Sequence, residues 1–287
     1  MRLPIKFNQR RLPLWIARWL PSKDDPRELL FDAVNIDHFE TAVTAIKIGS
    51  TWKSTRRKRH VLSDTMIYDA LARIDHPLIL EIGVSAGSTT LDLLERLGER
   101  IGKYWATDLF FHICIMQKGR ETYFYHPLSQ HCIMRVNDHL LVYEETANAL
   151  PPFGWIAAHF IARAPVLNTE LSQEVSLIHP LLRNLAQEDE RVVICEHDVF
   201  VEWRKEKVHL VKVANVLNRM YFSDDMIKAA ISKLRDALQP AGYLIIVDNC
   251  KIEQASLFRL NKNGTFTLQG EVNGGCDIRD LVCSHLM

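Results

Sequence analysis

Apolar side chains fall into a helical rhythm between Val61 and Ile74, where Leu62, Met66, Ile67, Ala70, Leu71 and Ile74 share one face. The rhythm then changes. Pro77-Leu-Ile-Leu-Glu81 is a short apolar run of the kind that fills a strand buried on both faces. After a glycine-containing turn, Thr89 to Leu97 returns to helical spacing. Four further runs repeat the strand signal: Tyr104–Asp108, Arg191–Cys195, Val208–Val213 and Tyr243–Val247. A helix is expected from about Asp224 to Leu238. Near the end, Ser256–Leu260 and Thr265–Leu268 flank Asn261-Lys-Asn-Gly264, a hairpin signal. This alternation predicts an α/β fold with a mainly parallel sheet, helices on both faces and a C-terminal antiparallel hairpin.

Upstream, Pro21–Pro26 is a turn-rich break, and residues 27–48 read as helical. Residues 1–76 are therefore expected to be an N-terminal helical segment, followed by one domain over 77–287. About eighty residues separate the second and third strands, where a parallel crossover needs only a dozen or more. Residues 110–190 are accordingly expected to form an inserted cap after the second strand. Strands are expected at Glu121–Tyr125 and Cys132–Tyr143, and a short helix within Leu150–Ile161. An insertion at that place shapes a ligand pocket or a lid. Phe153, Trp155, Ile156 and Phe160 would line the pocket or hold the cap to its domain or to a second copy in a homodimer.

Composition narrows the function classes. The formal net charge is +0, so nothing global draws the chain to nucleic acid, and no nucleic-acid partner is expected. Lys53, Arg56, Arg57, Lys58 and Arg59 concentrate in Thr51–His60, which reads as a solvated basic loop or as a docking surface for an anionic substrate. The six cysteines form no CxxC pair, and a reducing cytoplasm is the simpler compartment. Met1–Leu20 holds Arg2, Lys6, Arg10, Arg11 and Arg18, no acid, and an apolar side that includes Trp15 and Trp19. Such a segment docks on its own domain or makes peripheral membrane contact.

The candidate chemistry begins at Leu80-Glu81-Ile82-Gly83-Val84-Ser85-Ala86-Gly87-Ser88-Thr89. Glycines at 83 and 87 let the backbone turn tightly against a ligand, and the next helix aims its N-terminal amides at the same place. The spacing is Glu-x-Gly-x-x-x-Gly, so the dinucleotide fingerprint Gly-x-Gly-x-x-Gly of a nicotinamide oxidoreductase is not met. The stretch resembles the first motif of the class I, Rossmann-like S-adenosylmethionine-dependent methyltransferases, and the resemblance extends over Pro77–Asp108 and Arg191–Asn249.

That resemblance implies S-adenosylmethionine as cofactor and a methyltransferase domain over 77–287. Glu81, Gly83, Ser85, Gly87 and Ser88 would serve its methionine portion. Asp108, with Leu109 beside it, would accept both ribose hydroxyls, and Asp198 with Val199, or Glu196 in its place, would meet the adenine. Leu210-Val-Lys-Val-Ala-Asn215-Val-Leu-Asn218 resembles the segment after the fourth strand, with Asn215 toward the cofactor and Asn218 where histidine is common. The acceptor implied is a small or lipid-like molecule. Methyl transfer needs alignment, and a base only if the acceptor keeps its proton. His112 and Asn218 are the candidate catalytic residues, and His197 is a further candidate.

Asp248-Asn249 resembles the pair of metal-dependent catechol-type O-methyltransferases, yet Lys212-Val-Ala-Asn215 supplies no further acidic ligand. His112, Cys114, His131 and Cys132 match no standard zinc spacing. The expectation is metal-independent O-methylation. A catechol-type enzyme and a non-catalytic adenosyl-ligand binding protein are the alternatives.

Overall fold

The computed structural model describes residues 3–9, 22–31, 36–49, 51–144, 149, 152–249 and 252–284. The chain opens with β1 (Ile5–Asn8), β2 (Ser22–Lys23), α1 (Ile36–Thr44), β3 (Lys47–Ile48), β4 (Thr51–Trp52) and α2 (Val61–Ala70). Then come β5 (Leu78–Ile82), α3 (Ser88–Leu97) and β6 (Lys103–Asp108). The long insertion supplies β7 (His112–Lys118), β8 (Glu121–Tyr125), β9 (Cys132–Val136), β10 (Leu140–Tyr143), α4 (Phe153–Ala162) and β11 (Ser172–Ser176). The last part contains α5 (Pro180–Glu188), β12 (Val192–Glu196), β13 (Val208–Ala214) and α6 (Asp224–Ala237). It ends with β14 (Leu238–Asn249), β15 (Glu253–Leu260), β16 (Phe266–Val272) and α7 (Arg279–Ser284). No helix of the described residues is long and apolar enough to cross a membrane.

Two compact units result: an α/β unit, Arg56–Leu109 with Pro180–Met287, and a β-rich unit, Met1–Thr55 with Phe110–His179. In the α/β unit the strand order is β12-β6-β5-β13-β14-β15-β16. The first five strands are parallel, and β15 and β16 add the expected antiparallel hairpin. The order reverses between β5 and β13, and in sheets of this class ligands bind at the carboxyl ends of the strands beside such a switch point. Strand periodicity explains the layers. Leu80, Ile82, Val211, Val213, Leu244 and Ile246 share the face that buries Ile227, Ile231 and Leu234 of α6. Ser223 caps α6, accepting the Met226 amide at 3.4 Å, and Asp224 and Asp225 complement the positive end of its dipole. The alternate positions, Ile79, Glu81, Leu210 and Lys212, face the side on which α2 and α3 supply Asp64 and Thr90.

The β-rich unit has the strand order β11-β7-β8-β9-β10-β1-β2. β7 to β10 form an antiparallel meander, and β1 joins its edge with Ile5 opposite Val142. This corrects the N-terminal helical segment expected over 1–76. Residues 5–8 form a strand, the chain through Thr55 belongs with the insertion, and α2 belongs to the α/β unit. The strand expected over Cys132–Tyr143 is a hairpin. Its turn is made by Asn137, whose Oδ1 accepts the amides of His139 and Leu140, both at 2.9 Å. Residues 10–20 of the amphipathic segment, and Leu150, lie outside the described residues. α4 buries Gly154 and Ala157 and leaves Phe153, Trp155 and Ile156 exposed. Those three side chains therefore do not pack into the β-rich unit's core.

Candidate functional site

The turn after β5 is built from backbone that most side chains avoid. Gly83, Ser85 and Gly87 all have positive φ, at +83°, +58° and +87°. A Cβ at Gly83 would collide with Val216, and one at Gly87 with Leu182. Glycine at 83 thus lets the turn press against the chain leaving β13. The Gly83 and Val84 amides donate to Thr107 O at 2.8 and 3.1 Å, which ties the turn to β6. The Ser85 amide donates to Asp108 Oδ2 at 2.7 Å. A carboxylate accepts at about four lone-pair positions. Ser88 opens α3, which presents its first-turn amides and the positive end of its dipole to the same crevice.

The other strand ends bring some expected residues to this edge and commit others elsewhere. Glu196 ends β12 opposite Asp108, and the His197 amide donates to Asp108 O at 2.9 Å. Asp198 Oδ1 accepts the Phe200 amide at 3.0 Å, a turn role, and Val199 is buried in the core beside Trp105. Leu109 is 47% exposed. Asn215 Oδ1 accepts the Asn249 amide at 2.7 Å, linking the ends of β13 and β14. Asn218 Oδ1 accepts the Met220 amide at 3.0 Å and shapes its own loop. His112 stands exposed on β7 in the β-rich unit, its Nδ1 3.7 Å from Glu174. His197 packs its ring edge-on against Trp203, and burial lowers its pKa. Asp248 Oδ2 accepts the Asp277 amide at 3.0 Å, and Asn249 Nδ2 donates to Arg59 O at 3.1 Å. Among the described residues no His, Cys, Asp or Glu group of three could hold a metal ion.

Comparison with known proteins gives matches of low similarity to solved structures. No family model matches, and no curated protein matches. Similar solved structures include a LepI variant in complex with SAH and a substrate analogue, at 14% identity over 79% of this chain and 39% of that chain, TM-score 0.35. Another is N-methyltransferase NodS from Bradyrhizobium japonicum in complex with S-adenosyl-L-homocysteine, at 15% identity over 77% of this chain and 69% of that one, TM-score 0.32. A third is an O-methyltransferase family protein from Burkholderia thailandensis, at 12% identity over 76% and 42%, TM-score 0.35. The chain spans less than half the length of the first and third of these.

Glu81, expected at the methionine portion of the cofactor, lies in the core. It is fully buried, and its Oε1 lies 3.0 Å from Lys212 Nζ, its neighbour across the strand pair. Its Oε2 accepts from Tyr104 at 2.6 Å and Thr90 at 2.7 Å. Lys212 Nζ also donates to Asp64 Oδ1 at 3.1 Å. Burial opposes the lysine's charge, but Glu81 and Asp64 outweigh it and raise its pKa. Burial pushes Asp64 up to about 6 despite the Lys212 charge. A hydrogen-bonded cluster of this kind fixes the geometry beneath the Gly83 turn, because removing either partner strands a charge.

Sequence reasoning missed this cluster and the segment that crosses above it. The run at 51–60 is solvated only in part, with Arg56 and Lys58 exposed. Lys53 is buried and donates to Phe110 O at 2.7 Å within the β-rich unit. Arg57 pairs with Asp92 and Glu95 of α3, both at 2.7 Å, and the Lys58 amide donates to Asp92 at 2.6 Å. Arg59 then meets Asn249 at the end of β14. His60 follows, 3% exposed.

Proposed function

We propose that the α/β unit binds S-adenosylmethionine at the carboxyl edge of its sheet and transfers the methyl group to a small or lipid-like acceptor. The observation that carries this reading is the left-handed Gly83–Gly87 turn, fastened at the switch point by the bond from the Ser85 amide to Asp108. The residues present fit such a group. Ser85 Oγ is buried in the turn without a hydrogen-bond partner among the described residues, which suits a polar ligand atom there. When bound, the cofactor supplies an already activated methyl group, so the chain need only hold, align and exclude water.

Asp108 then has two tasks. It holds the Ser85 amide, and it accepts from the ribose hydroxyls. Gly83 and Gly87 keep the backbone close, and the first turn of α3, beginning at Ser88, offers amides to the amino-acid end. Glu196 or Asp198 takes the adenine amino group, with Leu109 exposed beside Asp108. Asn215 positions the β13 edge through Asn249, and Glu81 acts through Lys212 rather than by touching ligand. Asp248 and Asn249 are engaged by Asp277 and Arg59, which favours metal-independent O-methylation over the catechol-type alternative.

Calorimetry with S-adenosylhomocysteine tests the assignment. The native chain should bind, and Asp108→Ala should weaken binding by about 1–3 kcal/mol through loss of charged hydrogen bonds. Binding of NAD with no binding of either adenosyl ligand would overturn the proposal.

A further inference from the structure

His60 is a buried imidazole at the sheet edge to which the proposed cofactor site belongs. It is 3% exposed, and neither Nδ1 nor Nε2 has a hydrogen-bond partner among the described residues. Its place is fixed on several sides. The backbone before it runs from α3, where Arg57 and Lys58 meet Asp92, to Asn249 at the end of β14. The backbone after it starts α2, whose Leu62 and Ser63 amides donate to Glu253 at 3.0 and 2.7 Å. Residues 57–60 therefore run from α3 to the carboxyl end of β14. An imidazole buried there with two unmet polar atoms costs stability that an apolar ring would not.

We propose that His60 contacts the hydroxyl of the methyl acceptor, an inference that rests on the adenosyl-binding reading above. A neutral imidazole has one donor and one acceptor nitrogen, the complement of a hydroxyl group. Burial, then the nearby charges of Lys212 and Arg59, hold its pKa well below the ordinary histidine value. Its task is accordingly to orient a neutral hydroxyl rather than to carry away its proton.

The test uses the full chain with 15N-labelled histidine, saturated with S-adenosylhomocysteine and titrated with phenol as the hydroxyl probe. The His60 ring signals, assigned by their loss in His60→Phe, should shift saturably. His60→Phe should bind S-adenosylhomocysteine within about twofold of the native chain and melt roughly 2–4 °C higher, because two unmet polar atoms are gone. His60→Gln, which keeps a donor and an acceptor, provides the assignment if His60→Phe does not fold. Ring signals unmoved by phenol would overturn the proposal. Failure of the native chain to bind S-adenosylhomocysteine would count instead against the cofactor reading, and the phenol titration would then be read on the ligand-free chain.

Discussion

At the scale of single residues, the candidate site rests on a buried charge cluster that was hidden in the sequence. An acid at the end of the first strand was legible, and Glu81 is there. Its role was not legible, because its partners Lys212 and Asp64 are contributed by distant elements. Lys212 sits in an apolar run, and only the register with β5 reveals that it faces Glu81. Asp64 gives the cluster a pH signature. Its carboxyl is raised in the folded chain from 3.8 to about 6. A raised carboxyl favours folding below the unfolded value and loses that contribution as pH rises through the folded one. Stability of the native chain relative to Asp64→Asn should therefore fall by on the order of 2–3 kcal/mol between about pH 4 and 6.5. Denaturant titrations of both proteins across that range would measure it. A flat difference, or one of opposite sign, would contradict the assignment of Asp64.

At the scale of elements, the motifs with short-range chemistry were readable and the ones built by pairing were not. The strand, glycine turn and helix from Leu78 to Leu97 follow directly from an apolar run, two glycines and a helical stripe. Asp108 was recognisable as a strand end, although the bond it makes to Ser85 was not. By contrast, Arg57, Lys58 and Arg59 resemble any exposed basic run, and only the folded chain shows them engaged by α3 and β14. The Gly83 turn can be tested without ligand. Gly83→Ala forces an L side chain to φ +83° and into Val216. Together the strained backbone and overpacking should cost about 2–4 kcal/mol, seen as a lower denaturation midpoint. A midpoint within about 0.5 kcal/mol of native stability would show that the turn is not held as described.

At the scale of the molecule, half of the architecture was visible in advance. The α/β unit alternates strands and helices in chain order, so each strand announces itself by a local pattern. The β-rich unit joins residues 5–8 to residues 140–142, and no local pattern specifies that ladder. The insertion was therefore legible as extra chain with strands at Glu121–Tyr125 and within Cys132–Tyr143, but the sheet they build with the N-terminal strand was not. The central claim is that an adenosyl ligand occupies the edge formed by the Gly83 turn, Asp108 and α3. Amide hydrogen exchange with and without saturating S-adenosylhomocysteine tests it most directly, since bound ligand stabilises the elements it holds. The account predicts roughly tenfold or greater slowing in Ile82–Leu91 and at Asp108–Leu109, with the strands Glu121–Tyr125 and Cys132–Val136 nearly unchanged. No slowing at the Gly83 turn, or equal slowing there with NAD, would contradict it.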